Sequence, residues 1–383
     1  MNYNYKNKNN STTGIRLMCA IVFVIFSLAW LFFFQADILA MTQHVLSGGL
    51  THYNRTLGAL IITFVLLLVQ TGVYKLTNLR RQAYALTYVP SMLMLALISD
   101  VEPMGGGTIS FASSWWVALL LLLLWGGVVY VVRLWQQVEG ADDARFFSRS
   151  MWVNMLVMAI LIMLVAGFGN TNAVFHYRMK AEQSLKNDDA ADAIKAGRKS
   201  LESDEHLLML RMFALAKEDA LGERLFEYPI TGNSSQMLPT DSLSQLLLLP
   251  ADSLYKFIGA RPVGRMTPMR YLELVEQKDS VPHKVVTDYR LCGYLIDRQI
   301  DRFATEVGRY YTINDSLPKH YREALTLYTH LRSRPVVVYH NSVMDEDYDN
   351  LLQLERQYSD VTERQVKVEE HYHGTYWYYY KYE

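Results

Sequence analysis

Few side chains in this 383-residue sequence are spaced for chemistry. Near the C-terminus, "EEHYH" supplies Glu369, Glu370, His371 and His373, all able to ligate a metal. Histidines two residues apart do not converge on one helical face. A strand would align them, but still without a third ligand. They read more simply as solvated polar residues, and no metal site is expected. Asp37, followed by His44, His52 and Arg55, is the other group. There Asp37 could serve as a general base or metal ligand, with Asp100 and Glu102 from a later polar stretch beside it. Its plainer reading is an acidic side chain solvated where an apolar run ends. No Gly-rich phosphate loop with Lys and Ser/Thr occurs, and Gly105, Gly106 and Gly107 read as a flexible turn. A serine nucleophile elbow is also missing. No cofactor is expected.

The elements that would have to position these groups fall into two kinds. Residues 1–171 hold ten Lys/Arg and six Asp/Glu, against 27 and 32 in residues 172–383, within a chain of net charge −1 that is 51% hydrophobic. Such an uneven split predicts an apolar membrane domain over 1–171 and a soluble domain over 172–383. Apolar runs at about 15–34, 57–76, 83–99, 113–134 and 151–169 approach the roughly 20 residues that a helix needs to cross about 30 Å of hydrocarbon. The third, with Pro90 and several tyrosines, is the least regular. The soluble part carries a mixed, mildly acidic surface, so nothing marks a nucleic-acid partner. Cys19 and Cys292 fall in different domains, so no disulfide is expected.

Charge sets the expected orientation. With a cytoplasmic N-terminus, Lys6, Lys8, Arg16, Lys75, Arg80, Arg81, Arg133, Arg145 and Arg149 lie inside and only Arg55 outside, a strong positive-inside bias. Five spans then put 172–383 across the membrane, in the periplasm of a Gram-negative cell. The first run has a long apolar core and no small-x-small cleavage site, because Ile38 interrupts Ala36 and Ala40, so it reads as an uncleaved anchor. No charged residue or histidine occupies the middle of a span, which argues against a pump or coupled transporter. Gln70, Thr71 and Asn154 are the polar residues inside, expected to hydrogen-bond between helices.

In the second half, Ala190, Ala193, Ile194, Gly197 and Leu201 recur at helical spacing, an apolar stripe on a charged helix. "DDAADAIKAGRKSLESDEH" resembles the second helix of a tetratricopeptide repeat, with Ala193 and Ser200 at the small-residue positions. Residues 173–186 would be its hairpin partner. "HLLMLRMFALAKEDALGERLF" resembles a following first helix and turn, with Leu207, Leu210 and Ala214 on one face. "LPKHYREALTLYTHLRSRP" resembles a third, with Ala324, Leu325, Tyr328 and Leu331 inward. The period near 34 residues is not kept between them. The stretches "LGERLFEYP", "LPKHYREAL" and "TYWYYY" resemble an uncharacterised family of bacterial multi-pass membrane proteins, which implies an architecture and no activity. Asp37, just beyond the first span, is similarly placed to the acidic residue of multi-pass glycosyltransferases that use lipid-linked sugars, some of which carry such repeats.

Loops are expected at 228–242 and 259–268, helices at 243–248, 253–258 and 268–277, a longer helix over 284–311, and an extended connector at 335–341. In the tail, Tyr376, Trp377, Tyr378, Tyr379 and Tyr380 suit a membrane interface, where the rings are buried and their polar ends stay wet. The alternative is a cap packed on the terminal hairpin. The expected fold is therefore all-α: a five-helix transmembrane bundle, then a solenoid-like helical domain. The expected function is an envelope scaffold that contacts the bilayer and a protein or peptide partner through its repeat groove. An envelope transferase using Asp37 is the alternative, and a transporter ranks third.

Overall fold

The computed structural model describes residues 3–104, 108–111, 115–136, 149–239, 246–259, 261–262, 264–278 and 283–383, with side chains from residue 13. The Gly105–Gly107 turn, residues 113–114 of the fourth span, Arg145 and residues 240–245 lie outside them. The described residues are mostly helical, and the chain divides into two compact units, Met1–Asn172 and Ala173–Glu383.

Five helical segments of the first unit are long and apolar enough to cross a membrane: Thr13–Phe34, Arg55–Thr77, Arg81–Ser99, Trp115–Gln136 and Arg149–Phe168. The first is α1 (Tyr3–Ala29) continued by a π-helical turn, Trp30–Phe34; α2 (Ala36–Leu46) follows. In that turn Gln35 N–H donates to Trp30 O at 2.9 Å, and Trp30 Nε1 donates to Ser99 Oγ at 2.9 Å on the third segment. The second segment is α3 (Arg55–Thr77).

The irregularity expected of the third segment has a definite form. It begins as a 3-10 helix, Arg81–Tyr88, and becomes α4 (Val89–Ser99) at Pro90, which occupies the first turn, where a missing N–H costs nothing. Eight residues rising about 2.0 Å each and eleven rising about 1.5 Å reach roughly 32 Å, enough for a span despite the shortness of the segment. Tyr84, Ala85, Tyr88, Met92, Leu93 and Leu95 are all buried, so this segment lies at the centre of the bundle. By contrast, α5 (Trp115–Gln136) buries only Ala118 and Val129 among its hydrophobic side chains.

The polar residues of the spans tie helices together. On α6 (Arg149–Phe168), Asn154 accepts Ala85 N–H at 2.7 Å and donates to Arg81 O at 2.7 Å and Ser150 O at 2.6 Å. It thereby satisfies backbone groups that the 3-10 start leaves over, beside Arg81 at φ 49°. Gln70 donates to Tyr84 OH at 3.2 Å and Thr87 Oγ1 at 2.9 Å, whereas Thr71 donates to Leu67 O of its own helix at 2.8 Å. Asn154→Leu should cost about 1–2 kcal/mol through the orphaned backbone groups. An unchanged unfolding midpoint in detergent would contradict this role.

An unexpected β-hairpin follows α4: β1 (Val101–Met104) pairs antiparallel with β2 (Thr108–Phe111), Val101 opposite Phe111. Both strands are edges, so Pro103 is tolerated.

The second unit opens with α7 (Ala173–Lys186), α8 (Ala190–Lys195) and α9 (Glu205–Lys217), mutually packed. The expected long stripe is corrected here. Ala190, Ala193 and Ile194 are buried, but α8 ends at Lys195 and Gly197 turns the chain at φ 63°. Ser200 is half-buried and Leu201 is 66% exposed, off any helical face. A left-handed glycine is a common helix terminator, and it overrode the apolar period. Asp204 caps α9 by accepting Leu207 N–H at 2.7 Å, and Leu207, Leu210 and Ala214 are buried together with nearly every neighbour, as befits a central helix.

After α10 (Leu221–Arg224), residues 246–250 are irregular rather than the helix expected from 243. The cause is Glu182 of α7: its buried Oε2 accepts the N–H groups of Leu247 and Leu248 at 2.9 and 2.8 Å, replacing helical acceptors. Burial raises the Glu182 carboxyl above the ordinary 4.5, against the opposing pull of those N–H groups and of Arg178. A raised folded value means that the protonated form fits better. The group's contribution is therefore full below about 4.5 and is lost as pH climbs through the higher folded value. Relative to the native chain, Glu182→Gln should gain stability as pH rises from about 4.5 toward the higher folded value. Parallel stability–pH curves would contradict this.

Next come α11 (Ala251–Ile258), α12 (Pro268–Lys278), α13 (Lys284–Ile296) and α14 (Ile300–Tyr310). The single helix expected over 284–311 is broken by a turn in which Arg298 takes φ 53° and Gln299 N–H reaches Tyr294 O at 2.8 Å. The unit closes with α15 (Lys319–Leu331), α16 (Ser342–Gln357), α17 (Val361–Tyr372) and α18 (Tyr376–Tyr382). Each helix from α12 onward packs on the next, and α15 also meets α10 and α18. Ala324, Leu325 and Tyr328 are buried, whereas Leu331, at the end of α15, is exposed.

Candidate docking site on the helical unit

The stretches "LGERLFEYP", "LPKHYREAL" and "TYWYYY" meet around α15. Glu223 of α10 accepts Lys319 N–H at 2.7 Å, and Gly222 lies so close to Tyr321 that a Cβ would sit 2.7 Å from its ring. Phe226 N–H donates to Nε2 of fully buried His320 at 3.2 Å, which leaves the ring proton on Nδ1, aimed at Glu323 Oε2 at 2.9 Å. The same carboxylate oxygen accepts Tyr376 N–H at 2.7 Å, and Glu323 O accepts Trp377 Nε1 at 2.7 Å. Phe226 packs against Tyr376 and Tyr379, centroids 5.0 and 4.9 Å apart. Tyr379 OH donates to Ile296 O at 2.6 Å.

This corrects the membrane-interface expectation for the tail. Tyr376, Trp377, Tyr378 and Tyr379 are buried and Tyr380 is half-buried, all within the second unit's core. Trp377 Nε1 and Tyr379 OH bond protein carbonyls rather than interfacial water, so the tail is a cap on the helical unit.

His371 and His373 do not converge. His371 sits on α17 with Nδ1 3.0 Å from Lys367 O, and His373 follows the helix end. Among the described residues no group of three or more His, Cys, Asp or Glu is arranged to hold a metal ion. Asp37 lies in the first turn of α2 and is engaged at 2.7 Å by Arg55. A cavity of about 380 Å³ lies beside that helix, lined by Leu39, Thr42, Leu46 and Tyr53 but not by Asp37.

A second concave site lies at the end of the first helical pair. A cavity of about 560 Å³ is lined by Tyr177 of α7 and by Lys195, Gly197, Arg198, Lys199 and Ser200 around the α8 terminus. Gly197 is obligatory there: its φ is positive, and a Cβ would lie 2.6 Å from the Tyr177 ring. Behind the turn, Arg211 of α9 is only 2% exposed. It donates to Gly197 O at 3.2 Å and Ser203 Oγ at 3.1 Å and lies 5.1 Å over the Tyr228 ring. Burial pulls its pKa down to about 10, still cationic at neutral pH.

Gly197 and Ser200, expected as packing positions, thus line a cavity. Tyr177, Lys195, Arg198, Lys199 and Arg211 were not singled out from sequence. The cation cluster "KAGRK" around a helix-ending glycine was legible; the burial of Arg211 behind it was not.

Among families of known proteins, the one described as a family of unknown function (DUF6057) matches residues 270–383, taking in α13 to α18 and so the His320, Glu323 and Trp377 contacts. No curated protein matches the chain. No solved structure matches it either.

Proposed function

We propose that this chain is a docking scaffold of a bacterial cell envelope, anchored in the cytoplasmic membrane by five spans and presenting a tetratricopeptide-like helical unit on the periplasmic side. The observation that carries this reading is the cation-lined cavity at the first helical pair, a recognition feature with no catalytic constellation assembled around it. Support for the orientation comes from the excess of Lys and Arg in the loops assigned to the cytoplasm. Support for docking comes from sequential helix packing, which leaves faces available to a partner.

A photo-crosslinking residue at Lys199 in intact membranes should capture one reproducible protein partner by mass spectrometry. A phosphatase reporter fused after Glu383 should be active. A cytosolic reporter, or crosslinks to lipid alone, would defeat the scaffold reading.

A further inference from the structure

We infer that the turn at 195–200 is an anion site that receives a carboxylate-rich segment of a partner protein, an inference that rests on the docking role above and specifies its ligand. The rim is unsatisfied. Among the described residues neither Lys195 nor Lys199 has an ion-pair partner, and Arg198 reaches Glu227 only at 4.0 Å. That carboxylate is already held by Arg224 at 3.2 Å.

The ground beneath the rim is also positive. Arg211 keeps a buried Nε without a hydrogen-bond partner, and Arg178 of α7 keeps both Nε and Nη2 so. Arg178 meets Asp204 at 3.2 Å, but Asp204 also caps α9. Burial raises the pKa of Glu182, the other acid near Arg178, against the pull of its backbone N–H partners. Burying guanidinium groups with spare donors is costly. With Asp204 offsetting one of the two buried cations and Glu227 shared between Arg198 and Arg224, the turn, whose shape Gly197 and Tyr177 hold, keeps a net positive potential.

The chemistry favours a peptide over a small anion. Cations at 195, 198 and 199 ring a cavity of about 560 Å³, most of which one inorganic anion would leave empty. Consecutive Asp or Glu side chains could meet the three cations separately. Ser200 Oγ already accepts Glu202 N–H at 3.1 Å, so its own proton is available to a carboxylate. The face of Tyr177 offers packing area to the aliphatic stems.

The test uses the full chain in nanodiscs of zwitterionic lipid and fluorescein-labelled hexaglutamate, read by anisotropy. Binding should be present, should weaken steeply with salt, and should fall at least tenfold in a Lys195→Glu/Lys199→Glu variant. A charge-matched Lys256→Glu/Lys278→Glu variant, altered at exposed positions elsewhere, should bind normally. Absent binding, equal loss in both variants, or displacement of the peptide by phosphatidylglycerol in the nanodisc would each overturn the proposal. A crosslinked partner that survives the site variant would spare the scaffold and remove this site. Hexaglutamate binding with no partner in membranes would do the reverse.

Discussion

Trp377→Ala is expected to destabilise the helical unit by about 3–5 kcal/mol, the range for removing a fully buried large aromatic. The indole is 1% exposed, stands 5.3 Å from the Tyr348 ring in a T-shaped contact, and spends its N–H on Glu323 O. Truncation therefore opens a cavity and also leaves a buried carbonyl unpaired. Because α18 has only seven residues, it has no stability of its own and should detach with the loss of its anchor. Chemical unfolding of the full chain in detergent should show a lowered midpoint, and a protease should reach a C-terminal tag in the variant first. A midpoint within error of the native chain would contradict the cap.

Glu323→Ala should cost a similar amount, about 3–5 kcal/mol, for a different reason. Glu323 is 2% exposed and gathers His320 Nδ1, the Tyr376 N–H and, at 3.8 Å, Lys319 Nζ. Alanine leaves two buried donors without an acceptor, each costing about 1–3 kcal/mol. Glu323→Gln keeps one acceptor oxygen and should lose distinctly less. Combined with Trp377→Ala, the loss should fall short of the sum, because a released α18 has no further contact with Glu323 to lose. Additive losses would mean that the carboxylate and the tail are not one device.

Much of the architecture follows from pattern alone. Lipid and water demand different side chains along whole helices, so the apolar runs and the change in charge near residue 171 are visible without coordinates. The boundaries within the helical unit were less visible. Arg298 terminates a helix with φ 53° although arginine suits helix interiors, and the packing of α13 on α14 together with its bond to Tyr379 O at 3.3 Å holds that backbone. Leu247 and Leu248 read as a helix; a carboxylate 65 residues earlier holds them out of one.

Composition, hydropathy and charge asymmetry by themselves determined a mainly helical chain with five apolar segments long enough to span a membrane, because those properties are summed over many residues and tolerate local exceptions. The tertiary structure alone decided that the aromatic tail caps a core instead of meeting lipid, and that Lys195, Arg198 and Lys199 ring a cavity backed by Arg211. Both outcomes depend on which distant groups supply hydrogen-bond partners and charge. That pairing is fixed only when the chain closes on itself.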